Sequence, residues 1–398
     1  MTLDKIYHAA FVLKDIIRKT DVIAAPELNP GADIILKTEN LQVTGSFKVR
    51  GAAYKISQLS EEEKARGVIA CSAGNHAQGV ALAATKAGAK SLICLPDNAP
   101  LSKIEATKKY GADVCLVPGV YDDAYNKALE LRDSEGYTFV HPFNDEDVIA
   151  GQGTIGLEIL EQVPDVDAVI VPVGGGGLIS GVAYAIKALN PNVKVYGVQA
   201  SGAPSMVKSV KEGKIKKLAS VSTIADGIAV KEPGDLTFDL VSQYVDELVT
   251  VTDDEVAAAI LALIEQQKLC AEGAGAVSVA AAMFNKVPVA GKKVVCLVSG
   301  GNIDVTILSR VIDRGLLKSG RTLSIQVNLV DKPGQLQGVA NCIADAGGNV
   351  TYINHEKATE DMSITDAYLR ITMETKNFEH IDEILTALSD AGFTYQQF

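Results

Sequence analysis

Lys48 ends the run "LQVTGSFK" and is followed by "VRGA". A lysine beside a Gly-Ser turn is ordinarily a solvated surface residue. This one lies in a loop or first turn after Gly45 and Ser46, leading into the apolar helical pattern "VRGAAYKISQL". A lysine held from a rigid helix end is what Schiff-base chemistry requires. In "VPVGGGGLISG", Gly174, Gly175, Gly176 and Gly177 separate a strand pattern from a helical one that starts at Leu178. Successive glycines let backbone N–H groups converge on one point, and a helix N-terminus adds positive potential. That is a phosphate cradle; the alternative is a plain tight turn. The run lacks both the dinucleotide glycine spacing and the Lys-Ser/Thr of a nucleoside-triphosphate loop.

Two further stretches sit at similar junctions. "CSAGNHAQG", Cys71 to Gly79, can receive a carboxylate through N–H groups and hydroxyls, although Ser72 or Asn75 fits an ordinary helix cap equally well. His76 taken alone reads as a structural histidine. In "CLVSGGN", Ser299 follows an apolar strand and precedes a Gly-Gly turn. An amine, a phosphate cradle, an anion loop and a strand-end hydroxyl together suit pyridoxal 5′-phosphate. Its aldehyde, phosphate and ring nitrogen need those groups.

The elements that must carry these groups alternate along the chain. "GVIACSA", "SLICLP", "DVCLVPG", "DAVIVPV", "VKVYGVQA" and "KKVVCLVSG" read as strands. "HAQGVALAATKAG", "PLSKIEATKKYG", "AYNKALELRDSEG", "LISGVAYAIKAL" and "DDEVAAAILALIEQQ" read as helices between them. Repeated β-α units imply parallel sheets covered by helices, with ligands at the carboxyl ends of the strands. After Leu317 the rhythm changes. "KSGRT" reads as a linker, and strand "LSIQVNLV", helix "GQLQGVANCIADAGG", strands "NVTYINHE" and "ITDAYLRITMET", helix "FEHIDEILTALSDAG" and strand "FTYQQF" follow. That βαββαβ order is the ferredoxin-like unit.

Composition excludes other classes. The 398 residues are 47% hydrophobic and 22% charged, enough for two or three domains with cores of their own. Lys plus Arg total 37 against 49 Asp plus Glu, a net −12 with no long basic stretch, which argues against nucleic acid and anionic membranes as partners. Six cysteines without a CxxC pair read as free thiols of a reducing compartment. No signal peptide or membrane span is legible, so a cytoplasmic globular protein is expected.

The ordered set "TGSFKVRGA", "SAGNHAQGVA", "GQGTIGLEI", "GGGGLISG", "EGAGA" and "SGGNID" resembles the threonine dehydratases (threonine ammonia-lyases). These are fold-type II pyridoxal-phosphate enzymes with the tryptophan-synthase-β-like fold. The resemblance covers roughly residues 1–318. It implies an α/β catalytic region of two subdomains over 1–318, the smaller, about 45–145, inserted in the larger. Residues 323–398 resemble an ACT domain, a regulatory module that binds amino acids, and "LVDKPGQL" matches its first strand-to-helix loop. Residue by residue, the resemblance makes Lys48 the cofactor-carrying catalytic lysine, flanked by Phe47. It places Asn75 at the cofactor's 3-oxygen, Gly174 to Gly177 and Leu178 at the phosphate, and Ser299 at the ring nitrogen. Ser72, Asn75, His76 and Gly227 fall near the substrate, Glu272 near the cofactor, and Gly334, Gln335 and Leu336 at an amino-acid effector.

The activity implied is β-elimination of water from L-threonine, giving 2-oxobutyrate and ammonia, in a homodimer or homotetramer under feedback control. Isoleucine is the effector to expect from the family's metabolic place. A serine dehydratase giving pyruvate, or an amino-acid sensor with a decayed catalytic part, are the alternatives. Serine racemases of this fold carry a second serine where this chain has Ala73. They also have a divalent-metal site at the positions of Gln199 and Ser205, so no metal site is expected here.

Overall fold

Apolar runs with no polar interruption need cover on both faces, and that is how they fold here. In the computed structural model, which describes residues 1–99, 101–357 and 365–398, "VIAC" and "AVIVP" are strands buried at every position. Pro100 and Ile364, which open an expected helix and an expected strand, lie outside the described residues. The chain divides into two compact units, Met1–Asp304 and Val305–Phe398.

Strands of the first unit are β1 (Val22–Ala24), β2 (Asp33–Lys37), β3 (Val68–Cys71), β4 (Ser91–Pro96), β5 (Asp113–Val117), β6 (Thr138–Phe139), β7 (Ala168–Pro172), β8 (Lys194–Ala200), β9 (Glu247–Val251) and β10 (Lys293–Leu297). They form two sheets, in the orders β1-β2-β10-β7-β8-β9 and β5-β4-β3-β6. Every pairing is parallel except β1 with β2. All strands of the smaller sheet come from between β2 and β7, so that layer is an insertion in the larger one. β10, last in sequence, pairs between β2 and β7. That position sets the segment after β10, with Ser299, in the middle of the larger sheet's strand order.

The helix Lys48–Ser57 lies between the two layers and packs against the helices Asn75–Lys86 and Glu146–Gln162. Glycines permit the close approach. A Cβ on Gly151 would stand 2.6 Å from the Arg50 carbonyl oxygen and 2.7 Å from the Gly51 Cα. One on Gly79 would stand 3.1 Å from the backbone of Lys48. The same helix carries Arg50, which is fully buried against Glu39 at 2.8 Å and Glu158 at 2.6 Å. Lys37, also fully buried, reaches Glu158 at 2.5 Å and the Thr20 carbonyl at 2.6 Å. Burial works to raise the Glu39 carboxyl, but the Arg50 charge and hydrogen bonds bring it below its ordinary value.

The second unit contains β11 (Thr322–Val330), β12 (Asn349–Lys357), β13 (Asp366–Glu374) and β14 (Thr394–Gln397) in one antiparallel sheet, order β12-β13-β11-β14. Leu323, Ile325, Val327 and Leu329 alternate inward along β11 and meet Val339 and Ile343 of one helix and Ile384 and Leu388 of the other. This is the expected βαββαβ ferredoxin-like order. The helix Val305–Lys318, which the sequence reading attached to the catalytic region, clusters with this second unit and contacts β11.

Candidate active site

Lys48 is the first residue of its helix. Backbone ties to the end of β10 fix its approach. Ser46 bridges Gly300, the Phe47 N–H donates to the Ser299 carbonyl at 3.1 Å, and the Gly301 N–H donates to the Gly45 carbonyl at 2.8 Å. Lys48 and Ser299 are therefore neighbours although one lies near the start of the unit and the other at its end. The Lys48 Nζ stands 5.3 Å from the centroid of the Phe47 ring and donates to the Pro142 carbonyl at 3.0 Å. Burial lowers the amine from 10.5 to about 8, against the pull of the Glu272 carboxylate.

The glycine run joins β7 to the helix Gly177–Leu189. Among the described residues, no carbonyl or side chain accepts from the N–H groups of Gly174, Gly175, Gly176, Gly177 or Leu178. Phe143 packs behind them. A Cβ on Gly175 would lie 2.5 Å from the Phe143 ring, and one on Gly177 would lie 2.8 Å from its backbone. Gly176 has φ +98°, a conformation that side-chain-bearing residues rarely adopt. The Thr237 hydroxyl holds the loop by donating to the Gly175 carbonyl at 2.6 Å. Because Phe143 follows Pro142, the cradle and the Lys48 amine share one supporting segment.

The segment also holds His141, whose Nδ1 accepts from the N–H groups of Phe143 at 3.2 Å and Asn144 at 2.8 Å. An accepting Nδ1 carries no proton. Burial and then the Lys48 charge bring His141 down to about 4, so the ring is neutral at pH 7.

The anion loop opens the helix Asn75–Lys86. The Gly74 N–H donates to the Ser72 hydroxyl at 3.1 Å, which shapes the turn. Asn75 Nδ2 donates to Glu272 Oε1 at 2.6 Å, and Asn75 Oδ1 accepts from Asn302 Nδ2 at 2.8 Å. Glu272 is buried; burial first, and the nearby Asp226 carboxylate second, push its carboxyl up to about 7. Gly227 lies beside it, with space for a Cβ only 3.0 Å from Ala274. Ser299 is buried, and its hydroxyl has a single long contact, 3.4 Å, to the Ala274 carbonyl.

His76 lies in the first turn of the helix Asn75–Lys86, at the expected loop, and its side chain takes the structural role that the residue suggests when read alone. The ring is buried, with Nε2 2.8 Å from the Val140 carbonyl, and burial lowers it to about 3. Its imidazole ties the start of the helix to the segment after β6. Gln199 and Ser205 are fully buried and uncharged; Gln199 Oε1 accepts from the Val207 N–H at 2.9 Å. Among the described residues no group of three or more His, Cys, Asp or Glu could hold a metal ion. In the second unit, Gly334 caps the helix Gln335–Asp345 with φ +90°, no neighbouring atom lies within 4 Å of where its Cβ would be, and Leu336 is exposed.

Pyridoxal 5′-phosphate fits the groups present. The unpaired N–H groups of the glycine run suit its phosphate, the desolvated Lys48 amine its aldehyde, and the weakly bonded Ser299 hydroxyl its ring nitrogen. A parallel α/β sheet with these groups at the carboxyl ends of its strands defines a pyridoxal-phosphate enzyme of the tryptophan-synthase-β-like, fold-type II class.

The chain belongs to the pyridoxal-phosphate dependent enzyme family, whose model matches residues 13–300, and pyridoxal phosphate is its cofactor. It is 51% identical to the L-threonine ammonia-lyase of Thermotoga maritima over 99% of this chain and 98% of that one. It is 45% identical to the L-threonine ammonia-lyase of Geobacter sulfurreducens over 96% of this chain and 95% of that one. Among solved structures, the processed form of threonine deaminase isoform 2 from Solanum lycopersicum superposes with a TM-score of 0.75 at 38% identity, covering 80% of this chain and 90% of that one. Maize serine racemase superposes with a TM-score of 0.74 at 36% identity, covering 79% of this chain and 98% of that one. The chain is an enzyme acting on a small molecule, and no helix among the described residues is long and apolar enough to cross a membrane.

Asn302, Phe143, His141 and Thr237 are site residues that sequence reasoning missed. Asn302 stood inside the quoted motif "SGGNID" but had no partner in view; the other three sit in segments without a motif.

Proposed function

We propose that the chain converts L-threonine to 2-oxobutyrate and ammonia in the cytoplasm, and that Lys48 is the residue that moves the proton. The observation that carries this reading is the Lys48 amine held at the Pro142 carbonyl, next in sequence to the Phe143 that backs an unpaired N–H cradle. Pyridoxal phosphate, when bound, supplies an electron sink for the carbon next to the amino group. Lys48, once displaced by the substrate's own amine, takes the α-proton. A pKa lowered to about 8 makes it neutral often enough near pH 7 to act as a base. The N–H groups at the start of the helix Asn75–Lys86, with Ser72, receive the substrate carboxylate and orient the α-hydrogen toward Lys48. Protonation lets the β-hydroxyl leave as water, and in this reading Lys48 returns the proton it took. The released enamine tautomerises and hydrolyses in water to the 2-oxoacid and ammonia. In this reading Asn75, Ser299, Phe47 and the Gly174–Leu178 backbone hold the cofactor, and Gly227 borders the substrate.

The second unit is, on the same reading, an ACT domain. Its open Gly334 and the first turn at Gln335 and Leu336 take an amino-acid effector, with isoleucine as inhibitor, in a homodimer or homotetramer. Incubation with L-threonine and with L-serine, with both 2-oxoacids measured, tests the assignment. Formation of 2-oxobutyrate supports it, pyruvate alone moves it to a serine dehydratase, and no turnover with cofactor bound overturns it.

A further inference from the structure

We infer that Asn302 is a positioning residue that dictates which way the Asn75 amide faces, and through Asn75 the hydrogen bonding of Glu272. The inference rests on the reading of Asn75 as a cofactor contact. Asn302 uses both hydrogens of Nδ2: one goes to the Thr44 carbonyl and one to Asn75 Oδ1, each at 2.8 Å. With Asn75 Oδ1 so engaged, its Nδ2 must face Glu272, and it donates to Oε1 at 2.6 Å. An Asn75 amide turned by half a rotation would set two NH2 groups against each other and its oxygen against the Glu272 carboxyl. One hydrogen bond would become a clash of donors, and while Glu272 is ionised the other would become a repulsion between oxygens. The second Nδ2 hydrogen of Asn75 meets no acceptor among the described residues, so the fixed amide presents a donor to a ligand oxygen.

Two motif glycines keep room for this chain of amides. Gly45 has φ +71°, and a Cβ there would collide with Asn302 Oδ1. A Cβ on Gly300 would collide with Glu272 Oε1 and lie 3.2 Å from Asn75 Nδ2. The chain therefore links the Lys48 loop at Thr44, the end of β10 at Asn302, the start of the helix Asn75–Lys86 and the Glu272 carboxyl. It also has an electrostatic consequence. The Asn75 N–H favours the ionised Glu272 and opposes the burial that pushes the carboxyl up. Releasing Asn75 removes that brake.

The test uses the cofactor-loaded full chain with Asn302→Ala and Asn302→Asp, each in the wild-type and in an Asn75→Ala background. In the wild-type background, Asn302→Ala is expected to lower kcat/KM roughly 3- to 10-fold, the range for loss of a net hydrogen bond. The pH midpoint of the bound cofactor's absorption band near neutrality should rise by about 0.4–1 unit in the same variant. Asn302→Asp, which adds a charge and can donate to neither acceptor, should move that midpoint further. In the Asn75→Ala background both effects should shrink below about twofold and about 0.3 unit, because the residue through which Asn302 acts is gone. Equal effects in both backgrounds, or a lowered Tm with an unmoved absorption midpoint, would overturn the inference. Absence of threonine turnover in the unsubstituted chain would refute the proposed function, while the absorption measurements would still decide the role of Asn302.

Discussion

At the Lys48 amine, burial and charge pull in opposite directions, and burial wins. The unfolded lysine titrates near 10.5 and the folded one near 8. Without cofactor, the folded protein therefore bears the full penalty of a buried cation below pH 8. The penalty fades as pH rises toward 10.5, so stability is gained on that side. Lys48→Met should abolish turnover, since methionine can neither carry the cofactor nor take a proton. It should also stabilise the cofactor-free protein at pH 7 by about 1–3 kcal/mol, with the gain vanishing above about pH 10.5. Chemical denaturation at pH 7 and 10.5 checks this; a Lys48→Met protein less stable at both would contradict the amine's desolvation. Ala73 supports a second expectation at this scale. It sits in the anion loop where the serine racemases that this fold resembles carry a serine, and its methyl group has no proton to give. D-serine should form from L-serine at least about 100-fold more slowly than pyruvate, the smaller end of what a placed acid contributes. Chiral chromatography of the two products decides it, and comparable rates would show that another group serves that face.

Among the elements, the strand-to-helix turn at Gly174–Gly177 makes the strongest demand on residue type. The demand has two physical sources, the unpaired N–H groups in front and the Phe143 ring behind. Gly175→Ala places a methyl 2.5 Å from that ring, so the loop must move forward into the cradle or Phe143 must yield. Overpacking of this kind costs about 1–3 kcal/mol. Taken on the bound state, that is roughly a 5- to 150-fold loss of cofactor affinity. Equilibrium dialysis of pyridoxal phosphate against both proteins measures it; unchanged affinity would mean the cradle lies elsewhere. The glycine run, Lys48 and the alternating β-α pattern were legible in sequence because each is local. The amide chain was not, since Asn302 and Asn75 come from opposite ends of the unit and meet only because β10 pairs between β2 and β7. Nor was the buried Arg50–Glu39–Glu158 cluster, whose members come from three separate elements. The structural role of His76 was legible from the residue type, but its partner was not, since the Val140 carbonyl arrives from the segment after β6.

For the whole molecule, the division at Asp304 separates a parallel α/β unit, which holds every residue of the candidate active site, from an antiparallel ferredoxin-like unit, which holds none. The change of rhythm after Leu317 was readable because strand alternation replaces continuous apolar runs. The helix Val305–Lys318 clusters with the second unit although the sequence reading sets the boundary after it, since an amphipathic helix fits either neighbour in sequence. The second unit's own folding does not require an open loop at Gly334, so the regulatory reading can be tested there alone. Gly334 has φ +90° and free space around its missing side chain. An aspartate there would bear a backbone strain of about 1 kcal/mol. The fold should survive. What changes is the charge at the start of the helix Gln335–Asp345, which would repel the carboxylate of an approaching amino acid. A coupling of about 1–3 kcal/mol between effector and substrate corresponds to roughly 5- to 150-fold in affinity. Isoleucine should therefore raise the threonine concentration for half-maximal rate in the wild-type chain, and Gly334→Asp should erase most of that rise while leaving the rate without isoleucine within about twofold. Initial rates over a threonine series, with and without isoleucine, measure both quantities. An isoleucine response of equal size in the two proteins would place the effector away from this loop.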